Sequence, residues 1–259
     1  MEDLLPSAST CANCKSQVDG KFCSNCGQPV VVKRIDLHYL LHEIQHSIFH
    51  VDKGILYTIK ELLLRPGIAL RNYIAGNRSS FFKPFAFVLI LGAVYGFIAH
   101  FFNLYPENEV LSMSEQGNSV KFLEYYGTTI KLVYDNYSFV MLALVPFAAL
   151  ASYIFFRRNG YNYWEHLVVN SYIVGMQIFV LLFFFFVYYY IRSSWVHLLS
   201  STISYGYFIW VFIQLFGGDS KMKAGVKAAF SILFSFLFLS ITLFIVVFLI
   251  FFVKMNIIN

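Results

Sequence analysis

The residues best suited to chemistry stand near the start of the chain, as Cys11-Ala-Asn-Cys14 and Cys23-Ser-Asn-Cys26. Two thiolates separated by two residues can grip one metal ion from a tight turn. Two such pairs supply the four tetrahedral ligands of a Zn2+ site. The chain has 4 cysteines, so every one is used. Two disulfides or a redox CxxC would draw on the same residues. No βαβ pattern surrounds either pair, however, and two matched pairs are poorly explained as redox motifs. Gly27 follows the second pair, where a residue free to take positive φ closes the turn. A site with four protein ligands has no open position, so its metal would be structural and the small head would fold largely through binding it.

A second group of candidates is polar and lies among apolar residues. His166, Asn170 and Gln177 fall within about 40° of one another on a helical wheel, and Glu165 adjoins them. Ser204 and Gln214 share an arc of the next apolar segment with Ser200 and Tyr207. A polar cavity between these two segments would take a small solute or a lipid. Glu165 and His166 would serve as acid and base at the headgroup level in a lipid-modifying enzyme. Close packing of polar and small faces in a helix bundle accounts for the same residues. A third group is basic. Arg65, Arg71, Arg78 and Lys83 stand together with no acid among them and would meet anionic lipid headgroups. His38, His42, His46 and His50 recur every four residues, as metal ligands, as groups titrating together, or simply as the polar face of an amphipathic helix.

The elements that position these groups follow from composition. Of 259 residues, 58% are apolar, 20% aromatic and only 13% charged. That excludes a soluble globular domain and a disordered chain. Leu37, Leu41, Ile44, Ile48, Val51 and Ile55 line one face of a helix expected from Asp36, its N-cap, to about Arg65. Pro66-Gly67 breaks it, and a short helix from Ile68 to Ala75 ends at Gly76. Five apolar segments then span 84–102, 137–156, 166–191, 195–216 and 224–253. Each is long enough to cross a bilayer as a helix. The predicted architecture is an all-α polytopic membrane protein with about five transmembrane helices, a zinc-ribbon-like head over 1–33 and amphipathic helices over 34–83. Gly92 and Gly96 in the first span, and Ala224, Ala228, Ser231 and Ser235 in the fifth, form small-residue faces for helix contact.

Basic loops alternate with the spans, which predicts a cytoplasmic N-terminus and an outward C-terminus. A thiolate metal site belongs on that reducing side. The acidic start carries no signal-peptide pattern, so the first span is expected to be an uncleaved anchor. The net charge of +5 is a topology signal rather than evidence of nucleic-acid binding. Phosphate-binding, zinc-hydrolase and serine-hydrolase motifs are missing from the sequence.

Several segments together resemble the bacterial DUF3667 family. They are the two CxxC pairs with Gly20-x-Phe22-Cys23 and Cys26-Gly27-Gln28; Leu64-Arg65-Pro66-Gly67; Arg71-Asn72-Tyr73-Ile74-Ala75-Gly76-Asn77-Arg78 with Lys83-Pro84; and Tyr161-Asn162-Tyr163-Trp164-Glu165-His166-Leu167. The family usually has Lys-Arg where this chain has Asn77-Arg78. The resemblance implies a membrane protein of the bacterial inner membrane with no established activity. The expected function is a non-enzymatic anchor or scaffold whose zinc head and basic helix dock a protein partner or membrane lipids. A transporter and a lipid-modifying enzyme are the alternatives.

Overall fold

The computed structural model describes residues 10–41, 54–102, 135–218 and 220–258, with side chains described up to residue 241 except at 194 and 239. Among the described residues it is helical, with isolated β-bridges in the head. The helices are α1 (Ile55–Leu64), α2 (Pro66–Ile74), α3 (Pro84–Phe101), α4 (Tyr137–Phe156), α5 (Tyr163–Ile191), α6 (Ser194–Phe216) and α7 (Lys221–Ile258). Four of them, α3 to α6, are long and apolar enough to cross a membrane. The fifth predicted span falls within α7, a continuous helix of 38 residues whose side chains beyond residue 241 lie outside the description.

The helix boundaries have local causes. Pro66 and Pro84 open α2 and α3, where a missing N–H costs nothing because the first helical turn has no acceptor for it. Gly76 turns the chain with φ of 114° after α2. Asn162 and Glu165 form a reciprocal capping box at the start of α5, the Asn side chain accepting from the Glu165 amide at 2.8 Å and Glu165 accepting from the Asn162 amide at 2.7 Å. Asp36 caps its helix as expected, its Oδ1 accepting from the Tyr39 amide, and residues 37–41 are helical. The run to Arg65 is not one helix, however. Gly54 is the N-cap of α1, and a β-carbon there would lie 2.9 Å from the Ser80 carbonyl oxygen. This close approach lets α1 start against the 80–82 backbone, where Phe82 N donates to Thr58 Oγ1 at 2.7 Å. His42, His46 and His50 lie outside the described residues; His38 is exposed.

Helix α5 is the centre of the bundle. It packs on α3, α4 and α6, and α7 closes the far side against α4 and α6. Its first half is buried almost residue by residue, from Glu165 to Ile173. Small residues let the helices approach. A β-carbon on Gly92 would sit 2.8 Å from Ser138 Cα, and one on Gly175 would collide with the Phe87 ring. Ala224, Ala228 and Ser231 are likewise buried. Helices α1 and α2 complete the head-bearing end: α2 lies against α6, and Tyr207, more than two turns inside α6, donates to the Leu62 carbonyl at 3.0 Å. Gly67 makes the α2–α6 contact possible, since its β-carbon would lie 2.5 Å from Gln214 Cβ.

Candidate functional site

The head consists of two turns that repeat each other at an interval of twelve residues. Cys11 N donates to Ser16 O and Cys23 N to Gln28 O, both at 2.8 Å. Lys15 N donates to Cys11 O and Gly27 N to Cys23 O. Thr10 bridges to Gln17 as Phe22 does to Pro29. The residue after each second cysteine is left-handed, with φ of 63° at Lys15 and 73° at Gly27. Gly27 was legible from the sequence; Lys15 adopts the same conformation without being glycine, and only the repeat itself signals it.

This symmetry brings the four sulfurs together. Sγ of Cys11 lies 3.6 Å from that of Cys26, Sγ of Cys14 lies 3.5 Å from that of Cys23, and all four ligand atoms are within 4.8 Å of one another. A tetrahedron with metal–sulfur bonds of about 2.3 Å has edges of about 3.8 Å, so the four cysteines can hold a metal ion with small adjustments. Hydrogen bonding to the Ser16 hydroxyl, and then to its backbone, lowers the Cys14 thiol to about 5. That favours the thiolate a metal requires.

The head does not stand apart from the membrane helices. Gln28, 3% exposed, plugs the turn after α2: its Nε2 donates to the Gly76 carbonyl, and its Oε1 accepts from the Ser79 amide at 2.9 Å and the Arg78 amide at 3.3 Å. Asn13 and Ser80 exchange side-chain hydrogen bonds at 3.1 and 3.2 Å. Val32 packs on Gly76, where a β-carbon would meet its Cγ1 at 2.9 Å. Farther along, Arg34 reaches α5. Its Nε donates to Glu165 Oε1 at 3.0 Å, and its Nη2 donates to Glu165 Oε2 at 3.1 Å and to the Gly160 carbonyl at 2.8 Å. Asn162 Nδ2 donates to the Ile35 carbonyl at 2.9 Å, and Ile35 is fully buried in the main core.

The basic residues are engaged within the chain. Arg65 forms an ion pair with Glu61, which is 7% exposed, through Nε and Nη2 at 2.7 and 2.9 Å. This hydrogen bond holds the Glu61 carboxyl below its ordinary value against the opposing effect of burial. Arg71 donates to the Gln214 carbonyl at 2.7 Å and the Leu215 carbonyl at 3.2 Å, satisfying the C-terminus of α6. Arg78 donates to the Lys33 and Tyr73 carbonyls and stacks over the Tyr39 ring at 4.5 Å. Lys83 is the N-cap residue of α3 and half-buried.

The polar residues expected to line one site separate into four places. Buried His166 and Asn170 find their side-chain hydrogen-bond partner in Ser152 of α4 rather than on α6. The Ser152 hydroxyl lies 3.0 Å from His166 Nδ1 and accepts from Asn170 Nδ2 at 2.9 Å. The Phe216 ring stacks on His166 at 5.7 Å. Gln177 and Ser204 meet at the α5–α6 contact, with Nε2 donating to the Ser204 carbonyl at 3.2 Å. Gln214 accepts from the Gly67 amide at 3.1 Å. Glu165 faces Arg34, so it and His166 have different partners although adjacent in sequence. Ser152 and Arg34 were not singled out by sequence reasoning. Neither carries a motif, and their partners, 14 and 131 residues away along the chain, are brought to them only by the fold.

The segment that carries Gly54, Glu61, Arg65, Gly67, Arg71, Gly76 and Arg78 also lies within a family match. Residues 52–96 match the family described as a protein of unknown function, DUF3667. The match therefore covers α1, α2, the turn on which the head rests and most of α3. No curated protein and no solved structure matches the chain.

Proposed function

We propose that this protein is a non-enzymatic scaffold of a bacterial inner membrane. In this reading the four-cysteine head binds one structural Zn2+ on the cytoplasmic side and offers a fixed surface to a protein partner and to anionic lipid headgroups. The observation that carries it is the double latch of the head and of the residue that follows it, by Gln28 on the 76–79 turn and by Arg34 on Glu165. A tethered reader of soluble ligands has no need of such a latch, whereas a platform that must hold one orientation at the membrane does. The same latch argues against acid–base chemistry, because both Glu165 oxygens are bonded to Arg34 and one also caps α5. Arg65 and Arg71, exposed although each is bonded within the chain, and half-buried Lys83 are the cations at the rim for headgroups. Each such contact near an anionic surface is worth about 1 kcal/mol.

The test uses the full-length protein. Metal analysis should give one zinc per chain, lost when Cys11 and Cys26 are replaced by Ser. An impermeant thiol reagent applied from outside should label Glu115→Cys and leave Lys223→Cys unlabelled; the reverse pattern refutes the orientation. Native mass spectrometry should find fewer bound phosphatidylglycerol molecules on the Arg65→Glu/Lys83→Glu double variant than on the parent, and equal numbers refute the lipid contact.

A further inference from the structure

Away from the head, α4, α5, α6 and α7 do not close completely on one another. They surround a cavity of about 310 Å³, at the lower end of the size range of small-molecule sites. Its wall on α4 runs from Tyr137 to Ala148, about 16 Å along a helix, so the space is elongated along the bundle. Most of the lining is aliphatic or aromatic, and no charged side chain among the described residues belongs to it. Ser204 is the exception that calls for an explanation. It borders the cavity, is 7% exposed, and its hydroxyl has no hydrogen-bond partner among the described residues. The other buried or half-buried polar side chains there differ: Ser235 donates to the Ser231 carbonyl of its own helix at 2.8 Å, and Gln177 donates to the Ser204 carbonyl, while Ser201 and Tyr205 are exposed. An unpaired buried hydroxyl in an apolar cavity is a standing cost that a ligand with one hydrogen-bonding group would remove.

The position of the cavity narrows the ligand. Ser204 lies ten residues into α6, which begins at Ser194, or about 15 Å along the helix and near the middle of a hydrocarbon layer of about 30 Å. Tyr205 of α6 and Phe236 of α7 also line the cavity, meet edge to face at 5.9 Å, and are 41% and 47% exposed. They mark an opening on the lipid-facing flank between α6 and α7. A ligand entering there comes from the bilayer. A phospholipid headgroup does not reach this depth, and an ionised carboxylate would find no cation.

We propose that this cavity binds an uncharged lipid alcohol, with its chain laid along α4 and its hydroxyl paired with Ser204. This goes beyond the scaffold role and does not depend on the zinc head. The experiment is photolabelling of the full-length protein in phosphatidylcholine nanodiscs with a diazirine-bearing long-chain alcohol, followed by peptide mapping. Adducts are expected in 174–181 and 201–208, and excess unlabelled alcohol should compete them away. Ala148→Phe, which fills the cavity, should reduce these adducts at least about tenfold, and Ser204→Ala about fivefold, the worth of one hydrogen bond. Should Ala148→Phe disturb folding, Ser235→Leu fills the same space from a residue bonded only to its own helix, and must give the same loss. Labelling that is not competed, or that persists in a folded cavity-filled variant, overturns the proposal. Equal competition by an ionised fatty acid overturns the selectivity for a neutral headgroup. Both outcomes leave the zinc, orientation and headgroup tests of the scaffold reading untouched.

Discussion

Replacing Gln28 by Ala tests whether the head is fixed to the bundle or merely tethered. The side chain is 97% removed from solvent and serves three backbone groups: the Gly76 carbonyl and the amides of Arg78 and Ser79. Truncation leaves all three without this partner. A buried polar group left unpaired costs about 1–3 kcal/mol, and water entering the vacated space recovers part of that, so about 3 kcal/mol is a fair total. At about 1.4 kcal/mol per decade, opening of the 76–79 turn should become roughly a hundredfold more frequent. Hydrogen exchange of the full-length protein, metal bound, reads this directly: the Arg78 and Ser79 amides should exchange about two decades faster, while amides in the buried first half of α5 keep their rates. Gln28→Glu should not restore the latch, because a carboxylate oxygen would face the Gly76 carbonyl where the amide nitrogen donated. If exchange at 76–79 is unchanged in Gln28→Ala while the head retains its metal, the latch does not hold the head and the reasoning fails.

Three further outcomes are expected. Removing the metal with a chelator should abolish protection throughout 10–32 and loosen the 76–79 turn, yet leave helical circular dichroism nearly intact, since the spans are held by their own packing; a large loss of helix would show that the head organises the bundle. Gly67→Ala should lower the thermal midpoint, with overpacking costing about 2 kcal/mol, because the new methyl would meet both the side chain and the backbone of Gln214 at 2.5–2.9 Å; an unchanged midpoint would mean that α2 does not rest on α6. Glu61, held below its ordinary value by Arg65, contributes stability that is complete above about pH 4.3, the unperturbed carboxyl value, and is lost as pH falls through the lowered one. Protection of α1 amides should therefore be flat at neutral pH and fall on acidification below about 4, and Glu61→Gln should remove that acid-dependent step.

The four-cysteine cluster and the helices were legible because their signals are local. CxxC spacing needs only a turn, and a run of apolar residues long enough to cross a bilayer has one stable conformation there. The helices accordingly fall close to the expected segments, such as Tyr137–Phe156 and Tyr163–Ile191. Helix punctuation at Pro66, Pro84 and Gly76 was equally plain. The continuous amphipathic helix to Arg65 was not found, because its division at Gly54 depends on a backbone approach from residues 80–82 that no periodicity encodes.

The partners of the charged and polar groups belong to the tertiary structure. A helical wheel put His166 and Asn170 with Gln177 and faced them toward the next span. In the bundle the first two turn to Ser152 of α4 and the third to Ser204 of α6, because α5 is surrounded and a shared arc does not name the neighbour. Arg71 and Arg78 read as a basic patch, yet one satisfies the end of α6 and the other stacks beneath the head, contacts across 143 and 45 residues. The sequence by itself determined that there would be a four-cysteine head and membrane helices, since composition and short spacing carry that physics. Only the fold decided that the head is latched to those helices through Gln28 and Arg34, and that an uncharged cavity opens between them. Hydrogen bonds and cavities are properties of surfaces brought together from distant parts of the chain, and those surfaces exist only once the helices have packed.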